Sequence, residues 1–139
     1  METHNSALNL VLQSALLWSE MVKKADLQLS VHGISFTEFG ILHRLHQAPQ
    51  QRLSRIELAG AVGLSASGIT RLLQPMEKIH LVEKASNPRD ARVSLVQLTA
   101  TGQQIYLEAA QTCHFFANQF VAPLTARQQE TLAELLQRL

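Results

Sequence analysis

A chain of 139 residues, 46 % apolar and 17 % charged, has ordinary globular composition and is long enough for one domain with a real core or a compact unit with a dimerisation extension. Its single cysteine excludes an intramolecular disulfide framework and a multi-cysteine zinc site. The formal charge of +1 conceals an uneven distribution, because residues 52–92 carry seven basic against four acidic side chains and the remainder is slightly acidic. Such a basic centre suits a face that meets phosphate.

The N-terminal METHNSALNL has no basic stretch followed by an apolar run, and no later apolar stretch approaches the length of a membrane span. The chain is therefore expected to be soluble and cytoplasmic, with no membrane partner. A long helix is expected over Ser6 to Leu29. There Leu8, Val11, Ala15, Trp18, Val22, Ala25 and Leu29 step by three and four, a seam at heptad spacing. A second row, Leu12, Leu16 and Met21, widens the apolar arc beyond what one neighbour covers, so a second chain is expected to share it.

From Ser35 onward the chain is densely punctuated. Ser35 with Glu38 and Ser54 with Glu57 have capping-box spacing and open two short helices, the first ending before Pro49 and the second closed by Gly63. Ser65 caps a third helix that presents Ile69, Leu72, Leu73 and Met76 on one face. Two apolar-alternating runs, Leu81 to Ala85 and Val93 to Leu98, flank the polar turn Ser86 to Arg92 and predict a β-hairpin with a basic tip. A helix starting at Thr101 or a near neighbour should reach Val121 and stop at Pro123. Thr125 and Gln128 then open a last helix striped by Leu132, Leu135, Leu136 and Leu139.

Function is concentrated in Glu57 to Leu73, ELAGAVGLSASGITRLL. A small Ala59, a turn at Gly63 and the apolar plugs Leu64, Ile69 and Leu72 are what a helix-turn-helix requires. Opposite the plugs, Ser67, Thr70, Arg71, Gln74 and Lys78 fall outward. These hydroxyl, guanidinium and amide groups are of the kind that read base edges and hold phosphates. Ser54, Arg55 and Ser65, at the starts of the two helices, complete the expected DNA-contacting set. On the hairpin, Arg89 and Arg92 can reach a minor groove, with Asp90 placed to hold Arg92 by a charge-assisted bond.

This order, with the wing reading NPRDARVSLVQLTATG, resembles the MarR family of bacterial transcription regulators over essentially the whole chain. The most specific segment is Asp90-x-Arg92 followed by Val96-x-Leu98-Thr99-x-x-Gly102. The resemblance implies a mainly α fold with a small β-hairpin wing (α+β), in one domain over 1–139. Within it, 6–34 and 100–139 would be dimerisation helices and 35–99 a winged helix-turn-helix lobe. It also implies a homodimer on pseudo-palindromic double-stranded DNA, and ligand pockets between the dimerisation helices and the reading head. Departures from the family pattern are His80, where a glycine commonly ends the recognition helix, Pro75 inside that helix, which should bend it, and Asn87 and Ala91 in the wing.

Trp18, Met21, Phe36, Phe39 and His43 are the candidate lining for a small aromatic or phenolic effector whose binding releases a repressor from DNA. The alternatives are a metal- or redox-responsive regulator of the same fold, or a winged-helix adaptor that binds protein. His43 and His46 have a spacing that suits metal, but no carboxylate or cysteine follows at i+4, and Cys113 and His114 should face different ways. No metal and no cofactor is expected. No basic residue lies within four positions of Cys113 to activate it. The chain also lacks a phosphate-cradling glycine loop, a nucleophile motif or paired carboxylates near a histidine, so no enzymatic activity is expected.

Overall fold

The structure, a computed structural model, describes residues 2–139, with side chains from residue 6 onward. Six helices and a small sheet follow in the order α1 (Glu2–Leu29), α2 (Phe36–Gln47), β1 (Arg52–Ser54), α3 (Arg55–Val62), α4 (Ala66–Lys78), β2 (Val82–Ser86), β3 (Ser94–Leu98), α5 (Ala100–Val121) and α6 (Ala126–Arg138). Short 3-10 turns at Ser30–His32 and Pro49–Gln51 link the first elements.

The helix starts follow from their caps. Ser35, Ser54 and Thr125 each accept a hydrogen bond from the backbone N–H three residues on. The side-chain oxygens of Glu38, Glu57 and Gln128 in turn accept from the cap residue's own N–H, closing three capping boxes. Ser65 caps α4 by accepting from Gly68 N–H. Helix α5 begins at Ala100, a near neighbour of Thr101, and is capped by Thr99, whose hydroxyl accepts from Gly102 N–H and shares its proton between the carbonyls of His80 and Leu81. One hydroxyl thus ties the end of α4 to the start of α5. Gly102 is required there, because a Cβ at this position would lie 2.0 Å from the Leu81 carbonyl oxygen.

The sheet holds three antiparallel strands in the order β1-β3-β2. The hairpin pairs Val82 with Leu98 through Ser86 with Ser94, close to the two runs expected. Strand β1 is an addition to the expected hairpin. Its three residues are too few to show an alternation, yet Leu53 pairs with the buried Val96 and Ser54 with Leu95. Ser54 therefore ends a strand and caps α3 in the same residue, which fixes α3 to the edge of the sheet.

One core joins the elements. Leu29 and Ile34, the α2 residues Ile41, Leu42 and Leu45, Leu58 of α3, Ile69, Leu73 and Met76 of α4, Val82 and Val96 of the sheet, and Tyr106 and Ala109 of α5 form a single buried cluster. The first half of α5 and the end of α1 thus share the core of the lobe formed by α2 to β3. Helix α4 continues through Pro75 to Lys78, and His80 takes the left-handed conformation (φ 62°) that its place after the helix demands.

Candidate nucleic-acid interface and adjoining hollows

Gly63 turns the chain between α3 and α4 in a left-handed conformation (φ 71°), its N–H bonded to the Ala59 carbonyl. Ala59 is buried at that crossing, and Leu64 and Leu72 pack against the core beside the buried Ile69. With its apolar face committed inward, α4 leaves Ser67, Arg71, Gln74 and Lys78 exposed. Ser65, at the head of the same helix, is exposed as well, and its hydroxyl lies 3.2 Å from that of Ser67.

Thr70 and Arg55 are less free than the sequence suggests. Arg55 Nη1 donates to Thr70 Oγ1 at 3.1 Å and Nη2 meets Glu77 Oε1 at 3.5 Å, with both charged side chains 28 % exposed. The guanidinium bridges α3 to two residues that lie two turns apart on α4, bracing that helix against α3. Glu77, the one carboxylate on that helix, is thereby turned to a cation of the protein itself. Ser54 is likewise engaged, as cap of α3.

On the wing, Asp90 Oδ1 accepts from the Arg92 backbone N–H at 3.0 Å and from its Nε at 3.3 Å, while the Arg92 side chain is 93 % exposed. The guanidinium is held at its root and presented at its tip. Arg89 is exposed, and its backbone N–H donates to Asn87 Oδ1 at 2.9 Å. Asn87 therefore has a structural role in shaping the turn.

The five residues expected to line one pocket divide between two. A hollow of about 290 Å³ lies between α1, α2 and α5, with Met21, Phe36, Phe39 and His43 on one side and Tyr106 and Phe116 on the other. Trp18 opens instead on a second hollow of about 280 Å³ that reaches Arg44, Ala61 and Val62, so Phe36, Phe39 and His43 form a wall common to both. Tyr106 and Phe116 escaped the sequence reading because α5 shows no signal of which neighbour its aromatic residues meet. Cys113 and His114, expected on different faces, both border the first hollow.

In that hollow His43 Nδ1 and the Tyr106 hydroxyl are 2.7 Å apart, and the His46 ring packs on Tyr106 with centroids separated by 4.5 Å. Burial, and then the neighbouring Arg44, His46 and His114, hold the His43 pKa below its usual value. Burial and then Cys113 raise that of Tyr106, and burial pushes the Cys113 thiol up to about 11. Among the described residues no three His, Cys, Asp or Glu side chains are grouped to hold a metal ion. No single helix there is long and apolar enough to cross a membrane.

A family model described as "MarR family" matches residues 34–94, the segment from α2 to the first residue of β3. Among curated proteins, an uncharacterized HTH-type transcriptional regulator of Bacillus subtilis, YdgJ, is 26 % identical over 107 residues. That match covers 77 % of this chain and 64 % of that protein, so it spans less than two thirds of the relative's length. The transcriptional repressor MprA of Escherichia coli is 25 % identical over 121 residues, 87 % of this chain and 69 % of MprA. Among solved structures, Sco3205, a MarR family transcriptional regulator from Streptomyces coelicolor in complex with DNA, superposes with a TM-score of 0.85 at 26 % identity. The match covers 93 % of this chain and 82 % of that one. A mutant MarR from E. coli complexed with operator DNA reaches a TM-score of 0.88 at 24 % identity, covering 96 % of this chain and 95 % of its own.

Proposed function

We propose that the chain is a winged-helix transcription regulator of the MarR family, which its similarities support, and that it binds double-stranded DNA as a homodimer and acts as a repressor. The observation that carries this reading is the α4 surface. Ser67, Arg71, Gln74 and Lys78 stand exposed on a helix whose opposite face is buried, and Arg92 extends from the neighbouring wing. Helix α4 enters a major groove with Arg71 and Gln74 toward base edges, while Arg89, Arg92, Lys78 and the helix N-terminus at Ser65 meet phosphates or the minor groove.

The apolar surfaces favour a homodimer. In the α1 seam Ala25 and Leu29 are buried against the core. Leu8, Val11, Leu12, Leu16 and Trp18 are each more than half exposed, as are Phe115 on α5 and Leu135, Leu136 and Leu139 at the end of the chain. Uncovered apolar area on this scale marks an interaction surface, and a second copy supplies the matching one. Two recognition helices then read a pseudo-palindromic operator with half-site centres about 10 bp apart or a multiple of that.

The hollow between α1, α2 and α5 is the effector site in this reading, since it separates the outer helices from the reading head and is lined by aromatic side chains. A thiol pushed up to about 11 is a poor redox sensor, which favours a small ligand over oxidation as the signal. Fluorescence anisotropy with selected and random duplexes tests the DNA reading. The logarithm of the association constant should fall linearly with the logarithm of salt concentration. Absence of any complex at low ionic strength refutes it, and affinity without salt dependence would favour a protein-binding adaptor.

A further inference from the structure

Two consecutive residues of the Pro49–Gln51 turn, Gln50 (φ 58°) and Gln51 (φ 56°), hold the left-handed conformation that favours glycine. Backbone strain of this kind persists only where the surrounding structure holds it, and it gathers at binding sites. In that conformation the Gln50 side chain accepts a hydrogen bond from Arg52 Nη2. Arg52 opens β1 opposite Gln97, so its side chain shares the outer face of the sheet with Gln97 and Leu95, the face away from the buried Val96. There a cleft of about 450 Å³ opens between the turn and the root of the wing, bordered by Gln50, Arg52, Asn87, Arg89 and Leu95.

We propose that this cleft binds one phosphate group, with the Arg52 guanidinium, positioned by Gln50, as its principal ligand and Arg89 as the second. Neither arginine takes part in the two ion pairs found among the described residues, Arg55–Glu77 and Arg92–Asp90. Glu83 shares the outer face but stands on β2, with Gln97 of β3 between it and Arg52, about 10 Å away across two strand spacings. It does not border the cleft.

The two carboxamides turn their oxygens to the protein. Gln50 Oε1 accepts from Arg52, and Asn87 Oδ1 accepts from the Arg89 backbone N–H at 2.9 Å. Their NH2 groups and the remaining N–H groups of both guanidinium forks are left as donors. Positive charge with donors from four side chains suits a ligand that only accepts, and a phosphate offers more oxygens to them than a carboxylate does. The half-buried Leu95 gives the cleft an apolar floor, where a charge-assisted bond is stronger than in open water.

This phosphate chemistry has two sources. One is the backbone of a duplex running past the wing, where the exposed Arg92 stands three residues from Arg89; it rests on the DNA reading above and adds a contact behind the wing tip. The other is a free phosphorylated small molecule, which does not need that reading.

The full chain, Arg52→Ala and Gln50→Gly are compared at pH 7, with circular dichroism to check the fold. Glycine suits φ 58°, so Gln50→Gly removes the carboxamide while Tm holds or rises. In one arm, anisotropy with a selected and a random duplex is repeated over a range of salt. In the other, inorganic pyrophosphate is titrated calorimetrically at low ionic strength. A backbone source gives Arg52→Ala a loss of about five-fold or more on both duplexes and a log–log salt slope shallower by about one unit. A free source gives pyrophosphate binding that Arg52→Ala weakens by about ten-fold or more. In either arm Gln50→Gly shows part of the Arg52→Ala loss without a fall in Tm, an outcome that a merely structural role for Gln50 does not produce. Unaltered duplex affinity and slope in Arg52→Ala, together with pyrophosphate binding that is absent or indifferent to Arg52, would overturn the proposal. Gln50→Gly equal to the wild type in both arms would overturn the positioning role of Gln50. If the wild type binds no duplex at all, the DNA reading falls, and the pyrophosphate arm still decides the cleft.

Discussion

Arg55 on α3 donates to the Thr70 hydroxyl on α4 across 3.1 Å, and the same guanidinium reaches Glu77 two turns further along. A charge-assisted bond and a half-buried ion pair therefore set the orientation of the recognition helix against the helix before it. Arg55→Ala should lower unfolding free energy by about 1 kcal/mol and weaken operator binding as α4 loses its brace. Denaturant titration reads the first effect and anisotropy the second. Arg55→Lys cannot reach both partners at once and should rescue only part of either. Full rescue by lysine would show that charge alone, and not the fork, is what matters.

The two exposed arginines should fail differently. Arg71→Ala is expected to weaken binding to the operator more than to random duplexes, because its contact on α4 is read as one to a base. Arg92→Ala should weaken both about equally and flatten the salt dependence by about one unit of slope. Equal losses for Arg71→Ala on specific and random DNA would remove its base-reading role. Asp90→Ala frees the root of Arg92 and should reproduce part of that variant's loss.

His80 sits at φ 62°, where a side chain is strained and glycine is not. His80→Gly relieves that strain at the cost of a more flexible unfolded chain, for a net gain of about 0.5–1 kcal/mol. A rise in Tm without change in DNA affinity is the expected outcome. A fall in Tm would mean that the exposed imidazole makes a contribution larger than the strain.

The uncovered leucines at both ends predict a loss of assembly on charge insertion. Leu136→Glu on α6 should convert the protein to a monomer in sedimentation and abolish cooperative operator binding, while circular dichroism of the reading head stays intact. The side chain is exposed within the chain, so a folded monomer is the expected product. A variant still dimeric would exclude the α6 stripe from the interface.

Cys113 offers a check on the hollow itself. Its thiol ionises near pH 9 in the unfolded chain and at about 11 in the folded one, so the native form should resist iodoacetamide at pH 8 and denatured protein should react promptly. By linkage, this group's share of stability is complete below pH 9 and is lost between pH 9 and about 11, where only the unfolded state ionises. Rapid native alkylation at pH 8 would contradict the burial of the site.

Local chemistry decided much of this protein without reference to its fold. Capping pairs such as Ser54–Glu57 and Thr125–Gln128 satisfy backbone donors three residues away, and Gly63 supplies a backbone angle that a neighbour cannot forbid, so both are legible in a linear string. The polar face of α4 was equally open to reading, since its periodicity needs only one helix. Tertiary structure alone decided the rest. Strand β1 exists because Leu53 has Val96 to pair with, Arg55 faces inward because Thr70 and Glu77 are there to receive it, and Tyr106 meets His43 across 63 residues of chain. Each of these depends on a contact partner remote in sequence, and composition and periodicity carry no record of which distant surfaces meet.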